Sequence, residues 1–494
     1  MRIHAPLLPL TICLMVGILL ANVVGQWPTM LAVLSVAVVV TSLLGRWPRC
    51  QTAGIAVCCL LLGMTLGARK RQQLEVTWPK ERIDVEVVVV SEPVVKGRWV
   101  VADVLTALGG HQLRCRLACD SLSRSVAVGD GLLLEAVYFN KVRAWKNHHF
   151  NYQRFMQCHG FVGETFADVG HWHWQRVTLD GLSLLQRARL RFLCWRHQLL
   201  KGYRQWGFED NAYGVIAAMT LGEKSLIDRE LRDTYSKVGA SHILALSGLH
   251  LMIIYGVISL LVAWRRFRMV SQVLIVLAIW AFAFLVGLSP SVTRSAIMIS
   301  IYALLSLGYR DRMSVNTLAF AAIAMLVANP YALYDMGFQL SLMAVFAILL
   351  FTPLFRQLIP LHVQQRHRWL RILWGLTTVS VSAQLGTAPL VAYYFGYFST
   401  YFLLTNYMVI PLATVVLYLA LACAVLCWWP LAVGWVAGAL LWTVTLMNSL
   451  MSWVGTLPWC SIEGIRLSAL QVFLLYVLMG SAWVFMSLRR PGFR

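Results

Sequence analysis

The chain has 494 residues, 59% of them hydrophobic and only 13% charged. This excludes a water-soluble globular domain and points to a membrane protein with many spans. Its 42 Lys+Arg against 21 Asp+Glu give a formal charge of +21, a balance that suits anionic partners, either lipid headgroups or nucleic acid. The cytoplasmic Lys/Arg bias of ordinary membrane proteins supplies part of that excess. Most cysteines lie in apolar runs and no C-x-x-C pair occurs, so zinc or thioredoxin-like chemistry gains no support.

A helix needs about 20 apolar residues to cross the hydrocarbon core. Three candidate spans open the chain, near 6–24, 28–45 and 51–68. Nine more follow near 242–263, 270–288, 291–308, 314–329, 336–354, 372–393, 402–427, 431–453 and 467–487. The expectation is a polytopic α-helical membrane protein of about 12 spans. The first stretch reads as a helix rather than a signal peptide, because more spans follow without a cleavage site.

Arginine placement orients the layout. With the N-terminus inside, Arg46 and Arg49, Arg265 to Arg268, Arg310 and Arg312, Arg356 to Arg371, and Arg489 to Arg494 all fall on the cytoplasmic side. Arg69, Lys70 and Arg71 alone conflict with it. The expectation is a multi-pass protein with both termini cytoplasmic, and with 69–205 and 455–466 on the outer side of the membrane.

The large outside segment carries five strand-like stretches: ERIDVEVVVVSEP, GRWVVADVLTA, HQLRCRLACD, GDGLLLEAVYF and FVGETFADVG. They are β-branched and bounded by Gly, Pro or Asp. Five short strands suit a small inserted extracytoplasmic barrel, OB-like by expectation, with a β-sandwich fragment as the alternative. Cys115 and Cys119 lie four apart on one of these stretches, and either could pair with Cys158 in an oxidising periplasm. Residues 182–206 follow as a basic amphipathic helix. Leu182, Leu185, Phe192, Trp195, Leu199 and Tyr203 recur at helical spacing among Arg187, Arg189, Arg191, Arg196, Lys201 and Arg204. Such a helix suits a lipid surface or a polyanion. The segment 69–205 holds 21 Lys+Arg against 12 Asp+Glu. Trp99, Tyr138, Phe139, Trp145, Phe150 and Tyr152 interleave with Lys141, Arg143 and Lys146 there, a composition fitted to single-strand nucleic acid or to headgroups.

The chemistry-bearing motifs are few. No G-x-x-x-x-G-K-[ST] or H-E-x-x-H occurs, and HWHW at 171–174 lacks the Asp-His that would follow in a metal motif; no metal or cofactor is expected. Instead, polar residues punctuate the later spans. SHILALSGLHLMIIYG carries His242, Ser247, Gly248 and His250. GLSPSVTRSAIM breaks a helix and then places Ser291 and Arg294 near a helix start. NPYALYDMGFQLS sets Asp335 and Gln339 four apart, SAQLGTAPL holds Gln384, and Asn406 precedes Pro411 by five. Interrupted helices with polar groups are tolerated in a membrane only against protein or a wet cavity, and in transporters they mark the path. The alternatives are interhelical hydrogen bonding, a transporter site for a small anionic solute, or an intramembrane hydrolase built on Ser247 and His250.

Together these segments resemble the ComEC family of DNA-internalisation competence proteins. LGEKSLI followed by YSKVGASHILALSGLHL carries the resemblance most specifically, and FNYQRFMQCHGFVGETF, GLSPSVTRSAIM, NPYALYDMGFQLS, SAQLGTAPL and Asn406–Pro411 follow the family pattern. The resemblance implies an inner-membrane channel taking up single-stranded DNA during natural transformation. It implies N-terminal spans over 1–68, a periplasmic OB-like domain over 69–175, the basic helix over 176–210 and the channel domain over 211–494.

His242, Ser247, Gly248, His250, Ser291, Arg294, Asp335, Gln339, Gln384 and Asn406 would line the path, with Asp335 holding Arg294 or a histidine in place. Trp99, Lys141, Arg143, Lys146, Arg187 and Arg191 would meet the DNA outside. Implied partners are membrane lipids, a periplasmic DNA receptor and a cytoplasmic ATPase motor. The metallo-β-lactamase-like H-x-H-x-D-H region of many relatives is not seen before Arg494. The expectation is therefore a non-enzyme served by a separate nuclease, or else a shortened, non-functional gene product.

Overall fold

Three apolar helices come first: α1 (Leu7–Leu20), α2 (Trp27–Leu43) and α3 (Pro48–Leu74). The computed structural model describes residues 5–21, 26–76, 78–79, 81–142, 146–147, 150–262, 268–307, 314–426 and 428–488. The chain divides into two units. One comprises His4–Gln198 with Ala319–Phe338; the other comprises chiefly Leu199–Leu318 and Gln339–Arg494.

In the first unit α2 and α3 start with Pro in the opening turn, where its missing N–H costs no helical bond. Helices α1 and α3 pack backbone to backbone. A Cβ on Gly17 would run into the Leu60 carbonyl, one on Gly63 into the Leu14 carbonyl, and one on Gly67 would stand 2.6 Å from the Ala21 Cβ. Gly63 and Gly67 form a GMTLG version of the small-x-x-x-small pattern that lets membrane helices touch.

The β-region follows, with strands β1 (Ile83–Val89), β2 (Val94–Lys96), β3 (Trp99–Thr106), β4 (Gln112–Ala118), β5 (Gly131–Val137), β6 (Phe139–Asn140), β7 (Lys146–Asn147), β8 (Phe150–Asn151), β9 (Phe161–Ala167) and β10 (Trp172–Trp174). The five expected strands are β1, β3, β4, β5 and β9. The main sheet runs β10-β5-β1-β3-β4-β9-β6, with β2 against β3. Its pairs are antiparallel except β4 with β9. Residues 131–140 pair with β1 through β5 and with β9 through β6, so one stretch of chain joins both ends of the strand order. Alternation buries Val100, Ala102 and Val104 on β3 and Leu113, Cys115 and Leu117 on β4. The HWHW segment is β10, with Trp172 in this core. Helix α4 (Tyr152–Cys158) is capped by the Asn151 side chain, which accepts from the Arg154 amide at 3.0 Å.

The basic helix is α5 (Leu184–Gln205), shorter than 176–210. Leu185, Trp195 and Leu199 lie exposed, as a surface-lying helix requires. Leu182 and Tyr203 are buried instead, beside an unforeseen inward stripe of Leu190, Leu193, Arg196 and Leu200. His197 meets Glu92 at 2.8 Å, and Gln186 Nε2 donates to the Gly110 carbonyl at 2.9 Å. These contacts dock the helix on the sheet.

The second unit is helical. Its elements are α6 (Asp210–Leu221), α7 (Arg229–Lys237), α8 (Ser241–Leu244), α9 (Gly248–Val262), α10 (Arg268–Leu285), α11 (Pro290–Leu307), α12 (Val315–Ala328, whose second half belongs to the first unit), α13 (Met336–Arg356), α14 (Leu361–Arg366), α15 (Arg368–Phe395), α16 (Phe402–Leu426), α17 (Pro430–Gly455) and α18 (Ala469–Leu488). A two-stranded ribbon pairs β11 (Tyr397–Ser399) with β12 (Ser461–Glu463). One core gathers Ile216, Met219, Tyr235, Val409, Val416, Val444 and Met447 from α6, α7, α16 and α17. A second gathers Leu251, Ile275, Ile279, Val292, Ala296 and Ile299 from α9, α10 and α11.

Among the described residues, six helices are long and apolar enough to cross a membrane: α2, α3, α13, α16, α17 and α18. Helices α1, α9, α10 and α12 contain shorter apolar stretches. The expected spans near 291–308 and 372–393 are helices, α11 and α15, outside both sets; Arg294 in one and the Thr, Ser and Gln residues of the other lower their apolarity. The protein is thus a helical membrane protein with a β-sheet region. Exposed Trp428 and Trp429 at one end of α17 and Trp459 beyond the other suit membrane interfaces.

Candidate functional site

The Ser-Gly-Leu-His segment is a helix cap. Helix α9 begins at Gly248, so Ser247 is its N-cap and His250 its third residue. The Ser247 amide donates to His250 Nδ1 at 3.2 Å, and Ser247 Oγ lies 2.9 Å from the same nitrogen. The imidazole thus takes the place that Glu or Gln occupies in a capping box. With Nδ1 accepting, the ring proton sits on Nε2, which is buried without a partner. A serine nucleophile needs a histidine free to take its proton. Here the imidazole already accepts a backbone amide, which weakens the hydrolase reading.

Helix α11 lies against this cap: a Cβ on Gly248 would stand 3.1 Å from Ser295 Oγ. Arg294, next to Ser295, is 3% exposed. Its Nη2 lies 3.5 Å from Ser291 Oγ, one turn toward the helix start, while Nε and Nη1 have no hydrogen-bond partner. The structure therefore joins Ser247 to His250 and Arg294 to Ser291, and brings Gly248 up to Ser295, which sequence reasoning missed. His242 is exposed, with Nδ1 3.1 Å from the Gly239 carbonyl.

Gln339 accepts from Tyr394 Oη at 2.8 Å. Gln384 is half-buried on α15, near the place where Gly386 lets that helix touch Met343 and Ala347 of α13. Tyr476 Oη adds a bond to the Gly386 carbonyl at 2.8 Å. The SAQLGTAPL segment thereby acts as a helix-joining device. Asn406 Oδ1 is buried without a partner at the start of α16.

Asp335 belongs to the first unit. Its Oδ1 accepts from the Phe338 amide at 2.8 Å, capping α13, and its Oδ2 lies 3.7 Å from His159 Nε2. Of the two partners expected for it, Asp335 takes a histidine, one from the end of α4. Asn329 Nδ2 and Cys158 Sγ extend this joint, donating to the Cys158 and Tyr331 carbonyls at 2.9 and 3.1 Å. Asp335→Ala is expected to lower stability by about 1–2 kcal/mol through the lost cap, with the half-exposed ion pair adding less than about 1 kcal/mol. Asp335→Asn keeps a capping oxygen and should lose much less; urea titration of the detergent-solubilised variants measures both.

The disulfide expectation is corrected: Cys115, Cys119 and Cys158 are all free. Cys115 faces the sheet core and Cys158 faces the Tyr331 carbonyl. Burial pushes both thiols up to about 12, so neither is a thiolate at neutral pH. Thiol labelling of unreduced, denatured protein is expected to modify all three; protected Cys158 would restore the bridge.

On the sheet, Trp99 meets Phe166 edge to face at 5.9 Å. Arg98 lies 5.5 Å from the Trp99 ring and Arg116 lies 5.0 Å from the Phe166 ring. Arg116 also faces Glu164 at 3.4 Å. Cations and rings thus alternate across β3, β4 and β9. Arg82 covers the exposed Tyr138 at 5.0 Å. Of the other expected contacts, Phe139 is buried and stacked on Trp78, and Tyr152 bonds Arg114 and Glu164. Arg187 is occupied by the Leu182 and Asp180 carbonyls at 3.0 and 2.9 Å. Lys141 and Arg191 are exposed. Arg143, Trp145 and the Lys146 side chain lie outside the described residues.

A family model described as Competence protein matches residues 219–489, more than half of the chain. The chain belongs to the competence protein family. It is 28% identical over 245 residues to ComE operon protein 3 of Bacillus subtilis (strain 168), covering 49% of this chain and 30% of that relative. An uncharacterized protein of Aquifex aeolicus (strain VF5) is 29% identical over 203 residues, covering 40% of this chain and 44% of its own length. The matches therefore span less than half of either relative. No solved structure matches the chain. The capping box of α9, Arg294 and Asn406 all fall within the family match; the β-region precedes it.

Proposed function

We propose that the protein is the inner-membrane channel through which one strand of DNA is taken up in natural transformation. A role in competence comes with the family; the channel and its single-stranded cargo are the reading argued here. The observation that carries it is Arg294, a buried cation without a hydrogen-bond partner on two of its nitrogens, set among apolar helices of a competence protein. Buried charges of this kind inside membranes mark the routes of polar cargo. The cation-and-ring face of β3, β4 and β9 suits the approach of a single strand, whose bases stack on aromatic rings while its phosphates meet cations.

The finer architecture belongs to the same reading: about twelve spans, counting the shorter apolar helices with α11 and α15, and an OB-like barrel. The barrel reading is supported by the order β1-β3-β4-β9, by the single parallel pair β4–β9, and by residues 131–140 returning to β1. The protein acts on DNA without cleaving it. It works with a periplasmic DNA receptor, a cytoplasmic ATPase and a separate nuclease, and with lipid under the exposed face of α5.

Deleting the gene should abolish transformation while DNA still binds at the cell surface; unchanged transformation would reject the reading. Reporter fusions after Asp130 and after Gln364 should report opposite compartments, the first periplasmic. One second reading, a carrier of a small anion, would use the same buried Arg294. Uptake of DNA by reconstituted protein separates the two.

A further inference from the structure

We infer that the start of α11, where Arg294 lies buried, is a binding site for one oxyanion of phosphate type. The inference rests on the channel reading only for its biological cargo; its physical basis is separate.

An arginine stays charged in a protein, and a buried charge needs a counter-charge. From residue 241 to residue 462 the sequence contains two carboxylates, Asp311 and Asp335. Asp335 is taken up by His159 and by the Phe338 amide, and Asp311 lies outside the described residues. Arg294 has no ion pair among the described residues, and only Ser291 Oγ, at 3.5 Å, stands near its Nη2. The Nε and Nη1 donors are left open. A counter-charge supplied from outside the protein resolves this.

The surroundings are donors too. Helix α11 has 18 residues and starts at Pro290, about one turn before Arg294. A helix start offers free amide N–H groups and the positive end of the helix dipole. Arg294 reaches back toward the start of its own helix, as its contact with Ser291 records. Guanidinium donors without acceptors, beside a helix start, match a ligand that only accepts hydrogen bonds. A phosphodiester has this chemistry, and so does a lipid phosphate.

The test uses the full chain in nanodiscs of zwitterionic lipid. Dimethyl phosphate and inorganic phosphate are titrated against chloride at equal ionic strength, and the apparent Tm is followed. A saturable rise of about 3 °C or more is expected with both phosphates, and none in Arg294→Gln. No phosphate-specific rise in the wild-type protein, or an equal rise in Arg294→Gln, would overturn the site.

Should Arg294→Gln not fold, phenylglyoxal modification of Arg294 in the wild-type protein decides the matter. Phosphate is expected to slow it about tenfold, as occupancy near 90% requires; no protection rejects the site. Nanodiscs containing phosphatidylglycerol separate the sources. If the anionic lipid alone raises Tm and removes the response to dimethyl phosphate, the site stands and its occupant is a lipid phosphate. Transformation assays keep the two claims apart. Phosphate binding with normal transformation of Arg294→Gln cells sinks the channel role of this site but leaves the site. Lost transformation with no phosphate response does the reverse.

Discussion

Replacing Arg294 by Met is expected to abolish DNA uptake while leaving the amount of folded, inserted protein unchanged or raised. The sign of the second effect is the informative part. An arginine that holds a structure together leaves an orphaned partner when it is removed, and stability falls by several kcal/mol, roughly 3–5. Arg294 has no such partner among the described residues, so methionine, of similar length and apolar, relieves a buried charge. The cost appears only when cargo passes. Removing one member of a desolvated charge pair is worth about 2–5 kcal/mol, which lowers transformation by at least about thirtyfold. Measuring transformation and protein level in the same cells checks both. A variant that loses protein in parallel with transformation would make Arg294 a structural residue.

Gly63→Leu is expected to have the largest effect on folding. A Cβ at this position would meet the Leu14 carbonyl and stand 3.0 Å from the Ile18 amide nitrogen, both backbone atoms that no rotamer change can move. Helices α1 and α3 would have to separate along their contact, which also includes Gly17 and Gly67. Overpacking a well-filled core costs about 1–3 kcal/mol, and a backbone clash lies at or above the top of that range. Size-exclusion chromatography in detergent should show little monodisperse protein. Gly434→Leu is the control: that glycine is exposed on α17 with open space around it, and the same substitution should leave the profile unchanged.

The glycine contact shows one limit of reading this chain from its residues. GMTLG was visible inside an apolar run, yet nothing in the run says which helix lies opposite. The long apolar stretches were legible because solvation by lipid acts on each segment by itself. The five strands were legible for a similar reason, through β-branched residues and local turn signals. The short strands β2 and β10 were not, because HWHW is strand only by virtue of pairing with β5.

At the site, Ser247, His250, Ser291 and Arg294 stood out as polar residues in apolar surroundings, and the structure pairs Ser247 with His250 and Ser291 with Arg294. Their roles were less visible. Ser247 and His250 form a cap, and that depends on the helix starting at Gly248. Asp335 was expected to hold Arg294 or a histidine, and the histidine it meets is His159, a residue remote in sequence. Cys158 was expected in a disulfide and instead donates to the Tyr331 carbonyl, because the end of α4 packs on residues 329–335. Long-range pairing carries no local signal, and the contacts of His159 with Asp335 and of Cys158 with Tyr331 are of that kind.

The central claim is that DNA passes Arg294 at the start of α11. A photoreactive amino acid placed at Ser291 of the full chain, in cells taking up radiolabelled DNA, tests it most directly. The account predicts a covalent adduct between the protein and the incoming strand on irradiation, dependent on transport and lost when Arg294 is replaced by Met. Labelling at Trp99 without any adduct at Ser291 would mean that DNA meets the β-region but takes another route, and would contradict the account.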